Sequence, residues 1–152
     1  MFRNILLPTD GSELSELAIR KCIEFAKSIT AKVTGFHAEH KPSLLAYGAY
    51  AETGDVDTAP PSKEELERSE EIAAKKYLAV IETAANEAGV ACECLFRPAS
   101  HPYEGIIKAA EEKGCDLIFM ASHGRSGLAG LLIGSEVAKV LTHTRIPVLV
   151  YR

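Results

Sequence analysis

The chain has 152 residues, of which 47% are hydrophobic and 25% are charged, with a formal net charge of -4 and a pI near 5.7. This acidic balance disfavours a duplex nucleic acid as partner, because neutralising phosphates needs a concentrated Lys/Arg face. No apolar run approaches the roughly 20 residues that span a bilayer, and the start of the chain lacks the long apolar core of a signal peptide. We therefore expect a cytoplasmic protein, without nucleic acid or membrane as partner, that forms one domain over residues 1–152.

The first half of the chain predicts two strands and two helices. A short apolar run over 3–9, "RNILLPT", ends in Pro and Asp-Gly and is typical of a buried strand. Apolar residues at three- and four-residue steps predict a helix over 13–29, and "AKVTGFHAE" predicts a strand over 31–39. Residues 41–62 contain three prolines and two glycines and predict a long loop. A second helix is predicted over 63–88, ended by Gly89, with an apolar stripe that includes Tyr77, Val80 and Ile81.

The second half continues the alternation. A strand is predicted over 90–97, followed by a helix over 101–114 that has Pro102 in its first turn and Gly114 at its end. The continuous apolar run "CDLIFMAS" predicts a strand over 115–122. A glycine-rich turn then leads into a helix over about 135–144 and a last strand over 146–151.

Five strands that alternate with four helices indicate an α/β fold: an open, Rossmann-like parallel sheet covered by helices on both faces. The two most apolar strands, at 3–9 and 115–121, belong at its centre, and the strands at 90–97 and 147–151 belong at its edges. The expected strand order is therefore 3-2-1-4-5. The carboxyl ends of the central strands then form the topological switch point at which such sheets bind ligands.

The four cysteines fit neither a disulfide framework nor paired zinc knuckles; they are Cys22, Cys92, Cys94 and Cys115. Cys92 and Cys94 form a C-x-C pair on a predicted strand, so both side chains point to one face. Such a pair is either a soft-metal or redox site, or two small core residues beside Val90 and Phe96. We favour the core interpretation. The histidines show no metal-ligand spacing.

The turn "ASHGRSGLAGLLIGS" follows a central strand and precedes a helix. Gly134 and Ser135 stand where free backbone N–H groups and the helix dipole favour an anion. Ser135 either caps the helix or offers its hydroxyl to a phosphate, and the glycines either admit a ligand or make a flexible turn. The chain lacks both G-x-G-x-x-G after its first strand and G-x-x-x-x-G-K-[ST], which disfavours a dehydrogenase or a P-loop kinase.

The segments "NILLPTDGSELSELAIRKCIEFAK" and "ASHGRSGLAGLLIGSEVAKVLTHTRIPVLV", with the strand order between them, resemble the universal stress protein family over essentially the full chain. Its ATP-binding branch carries glycine, two residues, glycine, nine residues, and glycine followed by Ser or Thr. Gly124, Gly134 and Ser135 match the last three of these positions, whereas Ala121 stands in place of the first glycine. Since a strand end has ordinary extended angles, we expect Ala121 to weaken binding rather than abolish it.

The resemblance implies a site for ATP or AMP, with Mg²⁺ accompanying the nucleotide. Pro8 and Thr9 would shape the adenine side, and Asp10 would face the ribose or a metal on the phosphates. The base pocket would be lined by Ala38 and Met120. The residues around the phosphates would be Gly124, Arg125, Gly134, Ser135, Glu136 and Val137.

Two of these positions, and the further candidate site residue His123, have alternatives. Asp10, with the residues that follow it, could form only a turn and a helix start. His123 contacts either a phosphate or the loop backbone. A Glu136 carboxylate suits a helix N-terminus but repels phosphate, so it either points outward or makes the site prefer AMP.

The function implied is that of an adenine-nucleotide-binding stress-response regulator with little or no turnover. The resemblance also implies a homodimer through the last strand, Pro147 to Tyr151, and a further protein partner of unknown identity. A slow ATPase or phosphotransfer enzyme is one alternative, for which Asp10, Arg125 and His123 are available but no Walker-type lysine. A nucleotide-free dimeric scaffold is the other.

Overall fold

A computed structural model describes residues 1–40, 62–123 and 133–152, and these segments form one five-stranded parallel sheet with helices on both faces. The predicted loop over 41–61 and the glycine turn over 124–132 lie outside the described residues. The elements in chain order are β1 Asn4–Pro8, α1 Glu13–Ile29, β2 Lys32–His40, α2 Lys63–Ala88, β3 Cys92–Ala99, α3 Pro102–Glu112, β4 Leu117–Ala121, α4 Ser135–His143 and β5 Val148–Tyr151.

The strand order is β3-β2-β1-β4-β5, which confirms the predicted topology. Ile5 of β1 is in register with Val33 of β2 on one side and with Leu117 of β4 on the other. The central strands β1 and β4 are buried apart from their last residues, because helices cover both of their faces. The edge strands β3 and β5 are half-buried along their length. The observed strand limits differ from the predicted ones by one or two residues.

The ends of α2 and α3 carry recognisable sequence signals. Ser62 and Glu65 form a reciprocal capping box at the start of α2, and Gly89 ends that helix in the left-handed conformation at φ 71°. Pro102 occupies the first position of α3, and Gly114 follows the end of α3 at φ 63°. These local signals explain why the two helices could be located without tertiary information.

The alternation of side chains along β1 divides the core into two clusters, one on each face of the sheet. The first cluster lies under α1 and α2 and includes Ile5, Leu7 and Ile81. The second lies under α3 and α4 and includes Leu6 and Phe36.

The prediction that Val80 belongs to the apolar stripe of α2 is wrong, because this side chain is 38% exposed. It lies one position before Ile81 and therefore about 100° away around the helix. The buried residues of α2 are instead Ala74, Leu78, Ile81 and Ala85. Within the described segments, no helix combines the length and the apolar character that crossing a bilayer requires.

Candidate functional site

The carboxyl ends of β1 and β4 lie side by side, because these two strands are neighbours in the sheet and run in the same direction. From β1 the chain proceeds to β2 on one side, and from β4 it proceeds to β5 on the other. This is the topological switch point of an open α/β sheet, where the crevice at the carboxyl ends of the strands accepts ligands. The described residues that directly follow the two strands, Thr9 to Ser12 and Ser122 to His123, therefore lie at this edge of the sheet.

Thr9, the first residue after β1, is buried and fully engaged by its own surroundings. Its backbone N–H donates to the Phe36 carbonyl at 2.9 Å. Its hydroxyl lies 2.8 Å from the Ser15 hydroxyl and accepts the Gly11 N–H at 3.2 Å. These hydrogen bonds fix the course of the chain from β1 into α1.

Asp10 and the residues after it form a turn and a helix start, which is one of the two roles that the sequence offers for Asp10. Oδ1 of Asp10 accepts the Ser12 N–H at 3.0 Å, and the Ser12 hydroxyl accepts the Ser15 N–H at 3.2 Å as the N-cap of α1. Ligand contact by the same carboxylate stays a prediction. A carboxylate whose orientation is fixed by such a turn is well suited to either role.

Sequence reasoning missed two residues that support this loop. Nδ1 of His37, a buried residue of β2, lies 2.8 Å from the Thr9 carbonyl oxygen. Since a carbonyl only accepts hydrogen bonds, Nδ1 of His37 carries the proton. The ring of Tyr77 from α2 lies 5.3 Å from the His37 ring, centroid to centroid. It also lies against Gly11, where an added Cβ would be 2.2 Å from the nearest Tyr77 ring atom. The glycine at position 11 was the only sequence signal for this close packing, and its φ of 72° is one that glycine readily adopts.

The chain leaves β4 through Ser122, which is buried. Its N–H donates to the Tyr151 carbonyl at 2.7 Å, and its carbonyl accepts the Gly134 N–H at 2.6 Å. A Cβ on Gly134 would lie 3.0 Å from the same Ser122 carbonyl oxygen, so the glycine permits this close approach. The two ends of the glycine-rich turn are therefore joined backbone to backbone. Nδ1 of His123 lies 3.0 Å from the Ser122 hydroxyl, and a phosphate contact by His123 stays a prediction.

The start of α4 differs from what a capping serine would produce. Gly134 is the N-cap residue, and no side chain of the described residues caps the helix, whereas Ser135 is the first helical residue and is exposed. The prediction that Ser135 could cap α4 is therefore wrong, because it lies one position too far along the chain. By helix geometry, the N–H groups of Ser135, Glu136 and Val137 have no acceptor within the helix. They leave α4 with a positive, donor-rich end at the switch point.

Glu136 directs its carboxylate away from these donors. Oε2 accepts the Tyr103 N–H at 2.9 Å, in the first turn of α3, where His101 as N-cap residue supplies no side-chain cap. Oε1 lies 2.7 Å from Nζ of Lys139, and this hydrogen bond raises the pKa of Lys139. The negative charge of Glu136 is thus held between the N-terminus of α3 and a lysine.

The apolar residues assigned to the base pocket share one side of the sheet. Met120 and Val137 are buried in the cluster under α3 and α4, and Ala38 packs against that cluster. Pro8, the last residue of β1, is half-buried. Met120 and Val137 therefore connect the expected adenine side of the site with the start of α4.

Ala121 is the last residue of β4, pairs with Tyr151 and packs on the opposite cluster. Among the described non-glycine residues only Thr30 has a positive φ, so Ala121 has the ordinary backbone angles that we expected. The other residues predicted from the glycine motif, Gly124 and Arg125, lie outside the described residues. In the described part of the chain no three His, Cys, Asp or Glu side chains converge to hold a metal ion. A metal at Asp10 would therefore have to arrive with a ligand.

The sequence model of the universal stress protein family matches residues 1–152. The chain belongs to the universal stress protein family. Among its curated relatives, universal stress protein MJ0577 of Methanocaldococcus jannaschii is 29% identical, and the similarity covers 100% of this chain and 96% of that protein. The solved structure of MJ0577 has a TM-score of 0.78 at 28% identity and covers 99% of this chain and 95% of its own.

Two more distant universal stress protein structures contain a nucleotide. The protein from Archaeoglobus fulgidus in complex with dAMP has a TM-score of 0.65 at 18% identity, covering 100% of this chain and 98% of its own. The Arabidopsis thaliana protein with AMP bound has a TM-score of 0.65 at 15% identity, covering 97% and 90%. At these identities the likeness shows the shared Rossmann-like fold.

Proposed function

We propose that this universal stress protein binds an adenine nucleotide, ATP or AMP, at the switch point between β1 and β4. The observation that carries the proposal is the N-terminus of α4, which has no side-chain cap and lies at the carboxyl end of a central strand. Its donors face the crevice that such sheets use for ligands. A phosphate is the ligand group that this combination of N–H donors and helix dipole favours.

The phosphates would be held by the Ser135 hydroxyl and by the first backbone N–H groups of α4. Glu136 would contribute through its backbone, because its carboxylate is engaged by Tyr103 and Lys139. Each interaction of charge with the helix dipole contributes about 0.3 to 1 kcal/mol, whereas micromolar affinity corresponds to about 8 kcal/mol. Further contacts are required, and Gly124, Arg125 and His123 are the family-implied candidates.

The base would lie on the apolar side of the crevice formed by Pro8, Ala38 and Met120, next to Thr9. Asp10 would face the ribose or a Mg²⁺ ion that the phosphates bring with them. A single carboxylate fits this ion, because Mg²⁺ commonly keeps several waters and binds one or two carboxylates together with nucleotide phosphates. Our proposal requires no preformed metal cage in the protein.

Two observations on relatives support an adenine nucleotide over other phosphates. The Archaeoglobus protein is known with dAMP and the Arabidopsis protein with AMP, and both share the fold of this chain. The role that we propose is regulatory: the bound nucleotide would alter how this protein binds a partner protein in the cytoplasm during a stress response. Hydrolysis would be slow or absent, since the sequence has no Walker-type lysine to neutralise charge on a transferring phosphoryl group.

The test is a calorimetric titration of nucleotide-free protein with ATP and with AMP, each in the presence of Mg²⁺, on two matched variants. Ser135→Asp places a negative charge in the exposed first turn of α4, where it stabilises the helix but repels phosphate. Ser135→Asn has nearly the same size without the charge. We expect micromolar binding to the unchanged protein and a loss of about 10-fold or more for Asp relative to Asn, or about 1.4 kcal/mol.

The result can overturn the proposal in two ways. No heat and no thermal shift with either nucleotide would leave a nucleotide-free scaffold as the better explanation. Equal affinities of the Asp and Asn variants would place the phosphates elsewhere. Release of inorganic phosphate during the titration would instead favour the slow ATPase.

We propose further that two copies pair through β5. This edge strand, Val148–Tyr151, is half-buried and carries no charged residue, and an uncovered apolar edge invites pairing with another strand. The edge strand β3, in contrast, contains Glu93, Arg97 and Pro98, which discourage such pairing.

Matched lysine substitutions on the two edges test this interface. Val148 and Leu95 both pack against the cluster under α3 and α4, one from each edge of the sheet. Light scattering should show monomers for Val148→Lys and dimers for Leu95→Lys. A dimer that survives Val148→Lys would place the interface elsewhere, and thermal melts check that both variants fold.

A further inference from the structure

The four cysteines fall into two groups. Cys22 and Cys115 are buried with 0% and 6% exposure, whereas Cys92 and Cys94 are half-buried on the edge strand β3. The Cys92 and Cys94 side chains point to the same face and their sulfur atoms lie 3.9 Å apart. Both side chains pack against the cluster under α1 and α2, as small core residues do, but they differ from the other two cysteines in being partly exposed and adjacent to each other.

The neighbouring strand leaves room for this pair. Gly35 of β2 is in register with Cys94, and a Cβ on Gly35 would lie 2.6 Å from the Cys94 sulfur. The same sulfur lies 3.9 Å from the Leu78 carbonyl oxygen of α2. The absence of a side chain at Gly35 therefore provides the space that the Cys94 sulfur occupies beside Cys92.

Distances decide between the two chemistries open to such a pair. A disulfide needs sulfur atoms about 2.05 Å apart and Cα atoms about 4.4 to 6.8 Å apart. Two residues along an extended strand are separated by about 6.6 to 6.8 Å, which is at the upper limit. A monovalent ion held by only two thiolates lies nearly on the line between them, so metal–sulfur bonds of about 2.3 Å set the sulfur atoms about 4.6 Å apart. The observed 3.9 Å is closer to that separation than to a disulfide bond, so binding a metal ion needs less movement of the strand than forming a disulfide does.

We propose that Cys92 and Cys94 form a two-thiolate site for a soft monovalent metal ion of the Cu(I) class. Thiolates are among the soft ligands that select Cu(I). Zinc fits poorly, because structural zinc sites use four ligands and no third His, Cys, Asp or Glu converges on the pair in the described part of the chain. The site is separate from the proposed nucleotide site, and the inference stands without that proposal.

Binding at this site exchanges protons for the metal without a redox step. Each thiol loses its proton, each sulfur donates an electron pair to the ion, and the complex of two thiolates with a monovalent ion has a charge of -1. Affinity should therefore rise with pH until both protons are lost.

The experiment is an anaerobic titration of the reduced protein with Ag(I), a probe of the same class that does not change its oxidation state. Ultraviolet thiolate-to-metal absorption reports binding, and a Cu(I)-selective chelator gives the affinity for Cu(I) in competition. We expect one ion per chain at this site. Cys92→Ser and Cys94→Ser should each weaken binding by about 100-fold, because one thiolate no longer acts together with the other. The matched control Cys115→Ala removes a thiol elsewhere and should leave the affinity unchanged.

A third variant keeps the test independent of losing a thiol. Gly35→Ala retains both cysteines but displaces the Cys94 sulfur, and it should also weaken Ag(I) binding. Undiminished binding by either serine variant, or an equal loss in Cys115→Ala, would overturn the proposal. So would a wild-type protein that binds no ion and instead loses two hydrogens, by mass spectrometry, on treatment with a peroxide. Circular dichroism establishes that each variant is folded.

Discussion

Helices α1 and α4 both begin at the same edge of the sheet, but their first turns differ in side-chain capping. At the β1–α1 junction, Ser12 caps the helix and Asp10 closes the turn before it. At the β4–α4 junction, Gly134 is the N-cap residue and supplies no side chain. The side chains of the first junction satisfy its own hydrogen bonds, whereas at the second no side chain among the described residues caps the helix.

The difference results from the placement of one residue. Both junctions contain a glycine followed by a serine, as Gly11-Ser12 and Gly134-Ser135. In the first the serine is the N-cap, and in the second it is the first residue inside the helix. The same residue type therefore stabilises one helix and presents a hydroxyl to solvent at the other.

The largest effect should come from Gly11→Ala, which disrupts the β1–α1 junction. A left-handed conformation costs an alanine about 1 to 2 kcal/mol, and the overlap with the Tyr77 ring adds about 1 to 3 kcal/mol. Urea unfolding should show a total loss of about 2 to 5 kcal/mol. Displacing Tyr77 from His37 should also loosen the Thr9 backbone and lower the affinity for ATP.

Gly89→Ala is the matched control for that change. Gly89 has nearly the same φ, 71°, but an added Cβ would meet nothing within 4 Å. It should therefore lose only the conformational part, about 1 to 2 kcal/mol. Equal losses for the two variants would show that Tyr77 does not constrain the β1–α1 junction.

The two serines should give opposite outcomes when each is replaced by alanine. Ser12→Ala should cost about 1 kcal/mol of stability because α1 loses its cap, and should change ATP affinity by less than about 3-fold. Ser135→Ala should leave stability within about 0.5 kcal/mol, as at other exposed positions, but should weaken ATP binding about 10-fold. Denaturation and calorimetry on the same samples measure both quantities. If the two variants behave alike, the contrast between the junctions is wrong.

Most of the fold could be predicted from the sequence, because the signals that indicate strands and helices are local. The continuous apolar runs of β1 and β4, the prolines and glycines at helix ends, and the strand alternation can each be interpreted within about ten residues. The contacts of His37 and Tyr77 could not be predicted, since they join residues of β2 and α2 to a loop far away in sequence. The position of Glu136 was ambiguous for the same reason: its partner, the Tyr103 N–H, is 33 residues away.

A smaller effect is expected from substitutions of Glu136, whose carboxylate links the start of α4 to the first turn of α3. Glu136→Ala should cost about 1 kcal/mol of stability because the Tyr103 N–H loses its acceptor. Glu136→Gln keeps an acceptor oxygen and should cost less. Since the carboxylate already faces Lys139, either change should alter ATP affinity by less than about 3-fold. A rise of 10-fold or more in Glu136→Gln would instead place the carboxylate beside the phosphates.

The smallest effect should come from Ala121→Gly, which restores the first glycine of the family motif. Ala121 has ordinary strand geometry and its methyl group packs on the cluster under α1 and α2, away from Met120. The glycine should cost about 0.5 to 1 kcal/mol of stability through backbone entropy and should change ATP affinity by less than about 3-fold. Calorimetry beside Ser135→Ala measures this directly. A gain of 10-fold or more would mean that the nucleotide reaches the Ala121 Cα, and that the β4–α4 junction binds its ligand from the strand end as well as from the helix.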